Sequence, residues 1–278
     1  MSLKNISAVM VAERSIINII NHSIYGLIHK SNVNKIYIIV PLKDLEIFRK
    51  KISYKNIYVV CEDDLISIKN QNRIKKKLGR KIHMYGWYLQ QFLKFEFINY
   101  IEDESYLIWD ADTVLLKDWN FNKDILEIIP ARENHKPYFT TLKKVTGISK
   151  QVNYSFISQF IMINRGDLNN LIKLINNKRP DIWYLNIIDA LEKLKDNEFS
   201  EYETYGNYFA YIKPRLISLK KIKWFRYGAA IISLKTLSSC NSDFLEKKFN
   251  GYQYVAFERH NYSLIKKVLF HVMAYFKF

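Results

Sequence analysis

The chain has 278 residues, long enough for one large domain or two small ones, and its 49% hydrophobic and 25% charged residues are the balance of a chain with a real core, which excludes wholesale disorder. No apolar run nears the roughly eighteen residues of a membrane span, Met1–Ala12 lacks the pattern of a signal peptide, and two cysteines (Cys61, Cys240) make neither a disulfide framework nor a zinc site. With 43 Lys and Arg against 27 Asp and Glu, the net charge of +16 points to a polyanionic partner, either nucleic acid or an anionic membrane.

The elements alternate in type along the chain. Ile6–Ala12 and Lys35–Val40 are short, β-branched and apolar, as buried strands are, and Ser15–His29 between them has helical spacing. Asp44–Lys51 predicts a short helix and Ile57–Cys61 a third strand. Arg73–Lys81 is a basic, solvated stretch. Trp87–Tyr100 predicts a helix and Tyr106–Trp109 a fourth strand. Ser155–Ile163 predicts a strand, Leu168–Asn176 and Asn186–Leu194 helices, and Tyr252–Phe257 a late strand. This alternation predicts an α/β fold with a mostly parallel central sheet flanked by helices. No Pro/Gly/Ser-rich linker divides the chain, so residues 1–261 are expected to form one domain. Residues 262–278 project as a basic amphipathic helix with Leu264, Ile265, Val268 and Leu269 on one side and Lys266 and Lys267 on the other. Only Phe270 breaks that division.

The charge is unevenly placed. Residues 1–100 carry 17 basic and 7 acidic side chains, residues 101–200 carry 13 and 15, and residues 201–278 carry 13 and 5. An acidic centre argues against a protein that grips a nucleic-acid backbone, unless the centre binds metal. The terminal helix adds an apolar face, so an anionic membrane surface is the expected partner and nucleic acid is not. The expected location is cytoplasmic, peripheral on the inner face of the cell membrane.

Asp110-Ala111-Asp112 follows the apolar run Tyr106–Trp109, at the end of a strand where open α/β sheets bind ligands. Alternation along an extended strand would put both carboxylates on one face. Two such ligands suit Mg²⁺ or Mn²⁺ held together with a substrate phosphate. The glycines form neither GxGxxG nor GxxxxGK[ST], so the phosphates of any nucleotide would be met by metal and basic side chains. Phe199–Tyr208 sets Glu201 and Glu203 among aromatic residues, where a carboxylate's raised pKa suits a general base. Gly86–Lys94 carries Gln90, Gln91 and Lys94 on a helix, either as ligands of a sugar and phosphate or as its wet face. His260, after a strand end in Glu258-Arg259-His260, is a candidate third metal ligand. No Ser/His/Asp or Cys/His spacing supports a hydrolase.

Four segments in order, GWYLQQFLK, YLIWDADTVLL, YSFISQFIMINR and FSEYETYGNY, resemble the DUF6492-type, glycosyltransferase-like bacterial family, with a GT-A fold. The resemblance implies a nucleotide-sugar-dependent transferase acting on a cell-surface polysaccharide or lipid-linked glycan acceptor. It implies that Asp110 and Asp112 form the metal and diphosphate DxD. Trp87, Gln91 and Lys94 match its helix motif, and Gln159 its middle-strand glutamine. Glu201, Tyr202, Tyr205 and Gly206 match its SEY…YG segment, and His135 the histidine after the DxD. Glu201 is the expected base, with Glu203 the alternative. The competing readings are a metal-dependent nuclease or phosphohydrolase, which would want more carboxylates near Asp110, and a non-enzymatic nucleic-acid-binding protein.

Overall fold

The computed structural model describes residues 6–177, 181–193, 197–258 and 270. In chain order the strands and helices begin with β1 (Ile6–Val11), α1 (Ile20–Lys30), β2 (Val33–Val40), α2 (Leu45–Lys51) and β3 (Ile57–Cys61). Then come α3 (Glu62–Leu65), α4 (Ile68–Leu78), a 3₁₀ segment (Gly79–Met84), α5 (Tyr85–Glu96), β4 (Ser105–Trp109), β5 (Thr113–Leu115) and β6 (Leu126–Ile128). The rest are α6 (Lys136–Thr146), β7 (Phe160–Asn164), α7 (Arg165–Asn176), α8 (Trp183–Ala190), α9 (Glu201–Ile212), β8 (Ile217–Leu219), α10 (Gly228–Ile231), α11 (Leu234–Leu237), α12 (Ser242–Lys248) and β9 (Tyr254–Ala256). The α/β class with a mostly parallel sheet and flanking helices is the one expected.

These elements gather into two compact units. The first comprises Met1–Val59, Trp109–Phe121 and Lys221–Phe278. Its strands lie in the order β3-β2-β1, and β1 runs parallel to β2 from Ser7 opposite Lys35 to Val11 opposite Ile39. Helices α1 and α2 make the crossovers that parallel strands require. β1 and β2 are apolar almost throughout because a covered parallel sheet is buried on both faces. α1 lies close on β5 through Gly26, where a Cβ would sit 2.6 Å from the Leu115 carbonyl oxygen. α1 starts later than its spacing predicts. Residues Arg14–Ile16 form a 3₁₀ turn instead, and the Arg14 N–H donates to the Asp44 carboxylate at 2.9 Å. The late strand is real but short, and β9 pairs antiparallel with β5. Within the C-terminal stretch expected as a helix, the ring of Phe270 is buried and stacks on Tyr227 with centroids 4.0 Å apart. The other residues of 262–278 lie outside the described residues.

The second unit comprises Val60–Ile108 and Asn122–Lys220. β4 and β7 are neighbours, and the N–H of Arg165, just past β7, donates to the carbonyl of Glu104, just before β4. β7 therefore runs antiparallel to β4. β6 and β8 form a separate parallel pair. The strand expected over Ser155–Ile163 begins only at Phe160. Gln159 has φ of 70°, outside the extended region, and Ser155 is engaged in a bridge to Ala131. Likewise α8 spans Trp183–Ala190 rather than starting at Asn186, because the Asn186 side chain closes a loop onto the backbone of Asp181. Among the described residues, no helix is long and apolar enough to cross a membrane.

Candidate functional site

In the first unit the DxD is held in a tight turn. Trp109 is fully buried, and its indole N–H donates to the Thr113 carbonyl at 2.8 Å and to the Ser23 hydroxyl at 3.2 Å. The Thr113 N–H donates back to the Asp110 carbonyl at 2.9 Å. The Asp112 carbonyl accepts from the Phe257 N–H at 2.9 Å, next to the β5–β9 pairing. Asp110 and Asp112 thus do not alternate along an extended strand. They flank a turn whose backbone is fixed at both aspartates, which leaves both half-buried carboxylates outside the ladder.

An aromatic cluster supports this turn. The Tyr254 ring stacks on Trp224 with centroids 5.3 Å apart and lies 5.9 Å from Trp109 and 6.4 Å from Trp119. The Tyr254 hydroxyl is pushed well above its ordinary range, first by burial and then by the charge of Asp110. Among the described residues no group of three or more His, Cys, Asp or Glu side chains could cage a metal. A pair of carboxylates fits instead the way Mg²⁺ and Mn²⁺ are usually bound, by one or two protein oxygens plus substrate phosphates. Glu258 pairs with Arg226 at 2.6 Å, and His260 lies outside the described residues.

In the second unit the sequence-nominated residues meet around the start of α9. Ser200 caps that helix and accepts from the Glu203 N–H at 3.3 Å, the first half of a capping box. Two carboxylates in the first turn also suit the helix dipole. The Glu203 side chain does not close the box. Its oxygens accept instead from the Ser155 hydroxyl at 2.5 Å and the Asn207 amide at 3.1 Å. Glu201 is 2% exposed and pairs at 2.5 Å with Lys94, itself 4% exposed. The Glu201 N–H donates to Gln91 at 3.1 Å, and the Gln91 amide donates to the Trp87 carbonyl at 3.1 Å. The Lys94 ammonium also lies 4.8 Å above the Tyr202 ring. So Gln91 and Lys94 are not the wet face of α5; they tie α5 to α9 from inside.

The other nominated residues have separate settings. The Tyr205 hydroxyl accepts from the Asn164 N–H at 2.9 Å, at the end of β7. Gln159 is buried, just before β7 begins. His135 Nε2 meets the Asn197 carbonyl at 2.7 Å, and its ring lies edge-on to Tyr138. The Trp87 ring is 37% exposed. A cavity of about 450 Å³ lined by Tyr154, Tyr211, Pro214 and Leu219 opens by the C-terminal end of α9, and none of the nominated residues lines it. Ser155 and Asn207 were missed by sequence reasoning. Asn207 stands one helical turn from Glu203, a spacing that signals contact; Ser155, far off in the chain, gives no such signal.

Gly206 is required by sterics. A Cβ there would lie 2.2 Å from the buried Phe156 ring. Gly206→Ala is expected to destabilise by about 1–3 kcal/mol through overpacking, despite alanine's better helix propensity. The double variant G206A/F156L should recover part of that loss in denaturant melts, since the two sites are in contact. Strictly additive losses would refute the clash.

Burial pushes the Glu203 carboxyl above its usual range, opposed by its hydrogen bonds to Ser155 and Asn207 and by the charge of Lys150. A carboxyl with a raised folded pKa binds more protons in the folded state. Its contribution is fully present below the unfolded carboxylate pKa and is lost as pH rises through the folded value. Glu203→Gln should therefore gain stability relative to the parent as pH rises from acid toward neutral. Parallel stability curves across that window would show that Glu203 is not strained by burial.

The chain is similar to two glycosyltransferases of known structure. Against the apo structure of WbbM, a bifunctional glycosyltransferase, it has 10% identity and a TM-score of 0.44, covering 92% of this chain and 46% of that one. Against apo GlyE of Streptococcus pneumoniae TIGR4 it has 14% identity and a TM-score of 0.46, covering 97% and 60%. The chain thus spans about half the length of these two proteins. No curated protein matches it. The model of DUF6492, described as a family of unknown function, matches residues 6–248, and the chain belongs to that family.

Proposed function

We propose that the protein is a glycosyltransferase that moves a sugar from a nucleotide-sugar donor to a cell-surface polysaccharide or lipid-linked glycan. The observation that carries this reading is the Asp110–Asp112 turn, with its backbone fixed by Thr113 and Phe257 and its carboxylates left outside the ladder. Asp110 and Asp112 would hold Mn²⁺ or Mg²⁺, which neutralises diphosphate charge when bound. The Thr113 and Phe257 N–H groups fix the backbone at both aspartates, which limits the reorganisation needed when an anionic donor arrives.

Glu201 is the proposed general base for the acceptor hydroxyl, and Glu203 the alternative. The Glu201 carboxylate is held by the Lys94 ammonium at 2.5 Å. The acid limb of the pH–rate profile should disappear in Glu201→Gln; if it disappears only in Glu203→Gln, the roles are exchanged. A nuclease or phosphohydrolase is less well supported, because no third carboxylate joins Asp110 and Asp112 among the described residues.

Thermal-shift measurements of the full chain with nucleoside diphosphates and nucleotide-sugars, with and without Mn²⁺, test the donor site. A ligand that binds only the folded state raises its apparent stability. The expected result is a shift by at least one nucleoside diphosphate that grows with Mn²⁺. A melting temperature unmoved by any of them overturns the reading.

A further inference from the structure

We propose that the outer face of α4 and the 3₁₀ segment after it form a docking surface for an anionic lipid bilayer. This surface needs no donor or acceptor and does not rest on the transferase reading. From Leu65 to Phe95, 31 residues hold eight Lys or Arg and no acid. The structure sorts these cations into two sets. Facing inward, Arg73 pairs with Asp181 at 2.8 Å and Lys77 with Asp189 at 2.5 Å, while Gln71, Ile74 and Leu78 are buried.

Facing outward, Lys69, Asn72 and Lys76 are exposed at i, i+3 and i+7, one stripe along α4; Arg80, just past the helix end at Gly79, is exposed as well. Among the described residues no carboxylate pairs with Lys69, Lys76 or Arg80. Beyond the stripe, the Ile82 side chain is 54% exposed and that of Trp87 37%. Exposed basic side chains followed in the chain by exposed Ile82 and Trp87 match the interface of an anionic bilayer, where the cations meet headgroups and the apolar groups enter the acyl boundary. A phosphate backbone complements the cations as well, yet offers nothing to Ile82. The surface therefore fits lipid better than nucleic acid.

The test is co-sedimentation of the full chain with vesicles of phosphatidylcholine alone and mixed with phosphatidylglycerol. Wild type is expected to bind only the mixed vesicles, and less as salt rises. K76E/R80E should lose about tenfold or more of that binding at low salt, with the milder K76Q/R80Q between, since each basic group near the surface contributes. I82S should lose binding mainly at high salt, where the apolar contact remains. These side chains are exposed, so melting temperatures should match wild type; if K76E/R80E fails to fold, K76Q/R80Q decides. Variants that bind mixed vesicles as wild type does overturn the proposal. So does a loss confined to duplex DNA binding, which would assign the same cations to nucleic acid.

Discussion

Lys94→Met is expected to destabilise the fold by about 3–5 kcal/mol, the range for removing one partner of a buried ion pair. The pair is buried at both ends, and the Glu201 carboxylate left behind would be a charge in a poorly solvated site. The surroundings add to the effect. The Tyr106 hydroxyl donates to the Lys94 carbonyl at 2.8 Å, and Gln91, one turn earlier on α5, accepts from the Glu201 N–H. The lysine therefore sits where α5, β4 and α9 converge. The double variant K94M/E201M removes both charges and should recover most of the loss, because paired apolar replacements of a buried ion pair are often close to neutral. Urea melts of both single variants and the double variant give the coupling energy. A loss under about 1 kcal/mol in K94M, typical of a surface pair, would show that Lys94 does not fasten these elements.

That lysine also marks where the sequence stops being readable. In isolation it is one cation on an amphipathic helix, and nothing local separates a buried lysine from a solvated one. Its carboxylate is 107 residues away. The continuous apolar runs of β1, β2 and β4 were legible because a covered parallel strand must be apolar on both faces. The start of α9 was not read in advance, although Ser200 followed three residues later by Glu203 has the spacing of a capping box. Ser155–Ile163 looked like one strand because its composition is that of one. The backbone turns at Gln159, while Ser155 is drawn toward Glu203, 48 residues away. The DxD was found, but its geometry was not. Alternation described a strand, whereas the Asp110–Thr113 hydrogen bond makes a turn. The antiparallel partner of that turn, β9, arrives from the last stretch of the first unit. The aromatic residues beneath it, Trp119, Trp224 and Tyr254, are scattered in sequence and were indistinguishable from other core residues.

Asp112→Asn is expected to abolish sugar transfer, with a loss of about a hundredfold or more in kcat/KM, while leaving the fold intact. Asparagine keeps the size of the side chain and the backbone carbonyl that accepts from Phe257. What is removed is one negative charge and one anionic oxygen, and a loss of about 3 kcal/mol of transition-state stabilisation corresponds to that factor. Asp110→Asn should act in the same direction. It should also relax Tyr254, whose hydroxyl the Asp110 charge helps to push up. The two variants together separate function from folding: unchanged melting temperatures with lost Mn²⁺-dependent nucleotide binding place the carboxylates at the donor phosphates. Equal loss of nucleotide binding with and without metal would assign them to the nucleotide directly. Full activity of Asp112→Asn in metal-depleted buffer would remove the DxD from the chemistry and, with it, the observation on which the transferase reading stands.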